Sequence, residues 1–107
     1  MTHINETLNQ RGQRYGDFAE HARITQEIKE AMARSKNWET LSPDKKESLD
    51  MIAHKIGRIL NGDPDYADSW HDIAGYATLV EDLITRDRRK FEEEFRELQM
   101  RGMQETA

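Results

Sequence analysis

Apolar residues recur along this chain at the spacing of amphipathic helices. The clearest segment places its apolar side chains at i, i+3, i+4 and i+7: Leu49, Ile52, Ala53, Ile56, Ile59 and Leu60. The same reasoning predicts helices at about residues 17–34, 43–60 and 66–101. A single valine and few aromatic residues disfavour strands. We therefore predict an all-α fold of three to four helices, the last of which is long and highly charged.

Polar residues at the ends of these segments match helix start and stop signals. Asp17 and Glu20 have the spacing of a capping box. Residues 42–44 (Ser-Pro-Asp) place a capping hydroxyl, a first-turn proline and a carboxylate in the order of a helix start. After the second helix, Gly62 is suited to a left-handed cap.

Both ends of the chain lack this pattern. Residues 1–16 show no sustained period and contain two glycines, so we predict a loose N-terminal arm that ends in a turn. Residues 102–107 are predicted to form a tail. Residues 17–101 then make a single helical domain, in keeping with a length of 107 residues.

Composition excludes several classes of protein. Hydrophobic residues make up 36% of the chain, charged residues 35%, and the net charge is −5. The absence of cysteine excludes disulfides and thiolate metal sites. No stretch approaches the roughly 20 apolar residues of a membrane-spanning helix, and the N-terminus has no apolar run of a signal peptide. We expect a cytoplasmic protein that binds no membrane.

The C-terminal segment is the most charged part of the chain. Between Glu81 and Arg101, 13 of 21 residues are charged. Its basic run, residues 86–90, is followed at once by three glutamates in an acidic chain, so nucleic-acid binding is not expected. Phe91, Phe95 and Leu98 continue a narrow apolar stripe. A narrow apolar stripe on so charged a helix is stabilised when another helix buries it, so we predict contact with another helix in a homo-oligomer.

Two aspartates stand at the start of the third predicted helix. Asp68 and Asp72 are one helical turn apart and lead into a second apolar face that begins with Tyr76. Paired carboxylates of this kind can hold Mg²⁺, which keeps several waters and binds phosphate. The alternative is that one aspartate caps the helix and the other complements its dipole.

The second predicted helix carries a polar face. Glu47 and His54 lie on it and are predicted to assist a catalytic water, while Lys55 and Arg58 are predicted to contact phosphate. If this helix packs against the next one across the short turn, the cluster faces the two aspartates. The alternative is an ordinary solvated helix face.

A further group precedes the first predicted helix. Arg11, Arg14 and Tyr15, beside two flexible glycines, could bind an anion or stack on a base. The alternative is a turn in which Tyr15 packs against the core and binds no ligand.

The segment from Met51 to Ala77 resembles a family of small phage and prophage proteins of unknown function. The likeness covers residues 11–80 and is carried by Tyr15-Gly16, by Lys55-Ile56-Gly57-Arg58, and by Asp68 with Asp72-Ile73-Ala74-Gly75-Tyr76. Gly57 departs from the alanine usual in that pattern. The resemblance implies a phage-encoded protein in the cytoplasm of the host cell, with a site at the matched positions Lys55, Arg58, Asp68 and Asp72. Tyr76, in the same matched segment, is also predicted to bind the ligand.

That family is more distantly similar to the MazG-type all-α nucleotide pyrophosphohydrolases. This likeness implies a MazG-like helical bundle and Mg²⁺-dependent hydrolysis between phosphates. Those enzymes use an E-x-x-E…E-x-x-D pattern of acids, which is present as Glu27, Glu30, Glu47 and Asp50. Because one residue in five is acidic, such pairs also arise by chance, and surface ion pairs are the alternative.

Two functions follow from these features. The first is a nucleotide-binding protein that is a possible pyrophosphohydrolase, with Asp68 and Asp72 as magnesium ligands. The second is a non-catalytic phage protein that uses its charged helix to bind, inhibit or recruit a host protein.

Overall fold

A computed structural model describes the backbone of residues 2–106 and the side chains of residues 3–103. Four α-helices follow one another along this part of the chain: α1 (Thr2–Tyr15), α2 (Phe18–Ala33), α3 (Pro43–Asn61) and α4 (Ala67–Thr106). A short 3-10 helix, Trp38–Thr40, lies between α2 and α3. Residues 2–106 contain no strand. The predicted all-α class and the long C-terminal helix are confirmed.

Both ends are more helical than the sequence pattern predicts. Residues 2–15 form α1 instead of a loose arm. A sparse stripe of Ile4, Leu8 and Tyr15 gives this helix one apolar side, and Gly12 costs only about 1 kcal/mol inside a helix. Helix α4 continues to Thr106, through most of the predicted tail. Residues 1 and 107, the outer ends of the predicted arm and tail, lie outside the described residues.

The chain separates into two compact units, residues 1–77 and residues 78–107. The first unit holds α1, α2, α3 and the beginning of α4. The second unit is the remainder of α4, a single helix. None of the helices along residues 2–106 combines the length and apolar character needed to cross a bilayer.

The helix ends match the predicted signals in part. Asp17 caps α2, and its Oδ2 accepts a hydrogen bond from the Glu20 backbone N–H at 3.1 Å. The carboxylate of Glu20 does not reach back to the cap, because it accepts a hydrogen bond from Arg23 Nε at 2.9 Å. Ser42 stands at the start of α3 without a side-chain capping bond. Its hydroxyl instead donates a hydrogen bond to the Asp44 carboxylate, which lowers the pKa of that carboxyl.

Gly62 also differs from its predicted conformation. Its φ is −121°, so it is not a left-handed cap. Glycine is nevertheless required there for space, because a Cβ would overlap the backbone of Arg14 and Tyr15. The left-handed glycine is Gly16, in the turn between α1 and α2, with φ at 80°.

The centre of the first unit is built from small and polar residues. Helices α2 and α3 pack most extensively, and their buried residues include Ala53, Thr25, Ser48 and His21. Close packing follows from the small side chains, because a Cβ on Gly57 would overlap Thr25 Oγ1. Among the described residues no large side chain is fully buried, and Phe18, Leu60 and Trp70 are exposed. The unit thus gains little from apolar burial.

Candidate functional site

The turn between α1 and α2 is held by the end of α3. The Nδ2 of Asn61 donates hydrogen bonds to the carbonyl oxygens of Tyr15, at 3.1 Å, and Asp17, at 2.8 Å. The Asp63 backbone N–H donates to the Arg14 carbonyl at 2.7 Å. Gly16 sits against the Asn61 backbone in a conformation that L side chains rarely adopt. These contacts fix the backbone of the turn from which the Tyr15 side chain extends.

Arginine and tyrosine side chains stack around this turn. The Arg58 guanidinium carbon lies 4.1 Å from the centre of the Tyr15 ring. The Arg14 guanidinium lies 4.5 Å from the centre of the Tyr66 ring. The two tyrosines meet edge to face with centroids 6.1 Å apart. Cation–π contacts of this kind hold each guanidinium at a defined place without neutralising its charge.

Two histidines from different helices meet beside the turn. His21 Nε2 of α2 and His54 Nδ1 of α3 are 3.4 Å apart, and the rings meet edge to face. His21 is only 6% exposed, and its Nδ1 makes no hydrogen bond. Burial lowers the pKa of His21. Burial, followed by the positive charge of Arg58, lowers the pKa of His54 to about 4. Both imidazoles are therefore neutral at neutral pH.

Tyr15, Arg58 and the two histidines line one pocket of about 560 Å³ between α1, α2 and α3. Its wall is formed by Leu8, Arg11, Gly12, Tyr15, Gly16, Asp17, Phe18, His21, His54 and Arg58. The volume lies within the range of small-molecule sites, about 300–1,000 Å³. Two arginines, neutral imidazoles and aromatic rings suit a ligand that joins an anionic group to a planar ring.

The buried histidines should make the protein less stable in mild acid. Both pKa values in the folded state lie below the ordinary value of 6.5, so the unfolded chain takes up protons first as the pH falls. The stabilisation that comes from keeping both imidazoles neutral is complete above pH 6.5. For His54 it is lost as the pH falls towards about 4, its pKa in the folded state. Between about pH 7.5 and pH 5 we expect a loss on the order of 1 kcal/mol in the free energy of unfolding.

Urea unfolding followed by circular dichroism at the two pH values measures this loss. The His54→Gln variant should show a flatter pH dependence, because its side chain does not titrate. An unchanged slope in that variant would contradict the assignment to this pair.

Two of the residues selected from the sequence meet across the turn that follows α3. Lys55 Nζ forms an ion pair with Asp72 Oδ2 at 2.9 Å. The hydrogen bond from Lys55 lowers the pKa of the Asp72 carboxyl. The turn after α3 thus brings Lys55 and Asp72 together, while Arg58, one turn further along α3, contacts Tyr15 in the pocket.

The other selected residues are spread over the first unit. Asp68 is exposed and accepts a hydrogen bond from the Tyr66 hydroxyl at 3.1 Å. Glu47 is exposed near the start of α3, and Tyr76 is half-buried on α4. Arg14 is exposed on Tyr66. Of the predicted set, Tyr15, His54 and Arg58 line the pocket.

The predicted magnesium ligands do not fit a metal site in this arrangement. Asp72 is neutralised by Lys55, and Asp68 is engaged by Tyr66. Within the described part of the chain, no group of three or more His, Asp or Glu side chains is placed to hold a metal ion. A Mg²⁺ ion at this pair would have to compete with the ammonium of Lys55 for the Asp72 carboxylate.

Sequence reasoning missed His21 and Phe18 on the pocket wall. Both come from α2 and belong to no ligand-binding motif, whereas Arg11, which also lines the pocket, belongs to the predicted anion-binding segment of residues 11–16. The signal available for His21 is its position on the same face of α2 as Ile24 and Ile28, because a buried imidazole requires a polar partner.

Fold and site together define a small all-α protein with an arginine–tyrosine pocket. A family model described as a domain of unknown function, DUF6378, matches residues 1–84, and the chain belongs to this family. The matched region includes α1, α2, α3 and the start of α4, and therefore every residue of the pocket. No curated protein and no solved structure is significantly similar to the chain.

Proposed function

We propose that this protein binds a nucleotide, or a similar small molecule with a phosphate and a planar ring, in the pocket between α1, α2 and α3. The observation that carries the proposal is the Arg58 guanidinium, held 4.1 Å from the Tyr15 ring on the pocket wall. A guanidinium that is fixed by an aromatic ring keeps its donors for a ligand. Bidentate arginine contacts are a common means of phosphate recognition.

The charges in the pocket favour an anionic ligand. Arg11 and Arg58 are the basic side chains of its wall, and Asp17 is its acidic one. Asp17 is already engaged with the first turn of α2 through the Glu20 amide. The neutral histidines add hydrogen-bonding nitrogen atoms without adding charge.

The aromatic groups favour a ligand with a ring. Phe18 lines the pocket with 78% of its surface exposed. A planar base stacked on an exposed phenyl ring is worth about 1–3 kcal/mol, whichever base it is. Together with the arginines, this ring supports a nucleotide in preference to inorganic phosphate alone.

The resemblance described above extends the proposal. By its likeness to phage proteins and to MazG-type enzymes, we propose a phage-encoded protein that acts on or holds nucleotides in the host cytoplasm. His54 is neutral and lies on the pocket wall, so its ring can accept a hydrogen bond from a water and orient it. Hydrolysis between phosphates is therefore the reaction to measure.

Isothermal titration of the full chain with ATP, AMP and inorganic phosphate tests the proposal. The wild type should bind a nucleotide more tightly than phosphate. Arg58→Ala should weaken that binding by about 10- to 100-fold, the size expected for a lost hydrogen bond to a charged group. Arg34→Ala is the matched control, because Arg34 is an exposed arginine at the far end of α2.

Titrations in EDTA and in Mg²⁺ separate the magnesium prediction from binding itself. We expect similar affinities in both, and no effect of Asp72→Asn. Absence of nucleotide binding by the wild type, or equal affinities of wild type and Arg58→Ala, would contradict the proposal.

A further inference from the structure

The second unit, residues 78–107, exposes an aromatic stripe. Phe91, Phe95 and Leu98 are 68%, 54% and 62% exposed. The two phenyl rings lie side by side, with centroids 6.4 Å apart and planes inclined by 11°. Three large apolar side chains on one helix face form a surface that favours burial against a partner.

This unit is a single helix, so burying the stripe against a partner would also stabilise the helix itself. Most helical stability in proteins comes from packing an apolar face, and not from helix propensity alone. The i, i+4 ion pairs available in the segment contribute only about 0.2–0.5 kcal/mol each. The stripe is therefore the feature through which a partner would stabilise the helix.

The charges beside the stripe indicate what that partner is. Residues 86–90 (Arg-Asp-Arg-Arg-Lys) carry four basic side chains and one acidic one, and residues 92–97 (Glu-Glu-Glu-Phe-Arg-Glu) carry four acidic ones and one basic one. Phe91 separates the two blocks. If two copies of the helix lie parallel, each block faces a block of its own sign. If they lie antiparallel about Phe91, each basic block faces an acidic block.

The apolar positions have the same symmetry. Ile84 lies seven residues before Phe91, and Leu98 lies seven residues after it. Seven residues are two helical turns, so all three share one face. In an antiparallel pair centred on Phe91, Ile84 of each copy meets Leu98 of the other, and the two Phe91 rings meet at the middle.

We propose that two copies of this chain associate through antiparallel pairing of α4, with Phe91 at the centre of the contact. The apolar layers provide affinity, and the opposed charge blocks set the orientation. The proposal concerns the second unit and is independent of ligand binding in the pocket.

Charge reversal in the full chain tests the pairing. One variant carries Arg88→Glu, Arg89→Glu and Lys90→Glu, and the other carries Glu92→Lys, Glu93→Lys and Glu94→Lys. In sedimentation equilibrium the wild type should have twice its chain mass of 12.6 kDa. Each variant alone should be a monomer, because like charges then face each other. An equimolar mixture of the two should restore the dimer.

The mixture also controls for folding. If a variant loses helical circular dichroism when alone and regains it in the mixture, the helices pair as proposed. A monomeric wild type, or two variants that each dimerise as well as the wild type, would overturn the proposal. The stripe would then be a binding surface for a different protein, such as a host factor.

Orientation is measured with one spin label. Because the chain has no cysteine, Gln99→Cys provides a single labelling site beside the stripe. Antiparallel pairing about Phe91 separates the two labelled backbones by about 24 Å along the axis. Parallel pairing would leave them about 10 Å apart, the usual distance between packed helices. The short distance would overturn the antiparallel assignment.

Discussion

Replacing Gly57 with alanine should lower the free energy of unfolding by about 2 kcal/mol, the usual cost of overfilling a packed interior. The added methyl group would overlap Thr25 Oγ1 and lie 3.0 Å from two atoms of the His21 ring. All three residues are buried where α2 meets α3, so the methyl group cannot turn into solvent. The two helices would have to separate, or Thr25 would have to change rotamer.

Urea unfolding at a fixed protein concentration measures the loss. Gly75→Ala is the matched control, because Gly75 lies inside α4 and a Cβ there meets nothing within 4 Å. That variant should gain up to about 1 kcal/mol from helix propensity. The double variant Thr25→Ala/Gly57→Ala should recover part of the loss, because it removes the overlapping hydroxyl. Wild-type stability of Gly57→Ala would contradict the packing described for α2 and α3.

Gly16→Ala should be at least as damaging, with a loss of about 2–3 kcal/mol. A left-handed conformation costs an L residue about 1–2 kcal/mol, and the φ of Gly16 is 80°. A Cβ would also overlap the carbonyl oxygen of Asn61. Because Asn61 holds both sides of the turn, displacing it should loosen Tyr15 and reduce ligand affinity as well.

Two variants separate the causes in that experiment. Gly12→Ala, four residues earlier in α1, has open space for its Cβ and should be neutral or stabilising. Gly16→Asn tolerates the left-handed conformation better than alanine, but it meets the same overlap. If Gly16→Asn is as unstable as Gly16→Ala, the contact with Asn61 dominates. If both are as stable as the wild type, the turn is not held as described.

Most of the helical architecture could be predicted from the sequence. Helix α3 was placed within one residue at each end, because its apolar residues keep a regular period and Pro43 and Gly62 bound it. Helix α1 was missed, since its stripe is sparse and interrupted by polar residues. The prediction that the Ser42 hydroxyl caps α3 was wrong, because capping depends on the side-chain rotamer, which the residue type does not determine.

The candidate site could be predicted only in part. Tyr15, His54 and Arg58 were selected for their chemistry, and all three line the pocket. They come together because the end of α3 packs against the turn after α1. The contact residues there, Tyr15 and Asn61, are 46 residues apart in the sequence. The hydrophobic and polar pattern of a single helix does not predict a contact between residues so far apart in the sequence. For the same reason His21, whose partner is 33 residues away, was not selected.

The bonds from Asn61 have a practical consequence for redesign. Both of its acceptors are main-chain carbonyls, at positions 15 and 17. The main-chain bonds that hold the turn therefore do not depend on which side chain position 15 carries, whereas Asp17 must be kept because its carboxylate caps α2. A library randomised at Tyr15 should alter ligand preference while the loop keeps its shape, which makes this small scaffold a starting point for engineered small-molecule receptors.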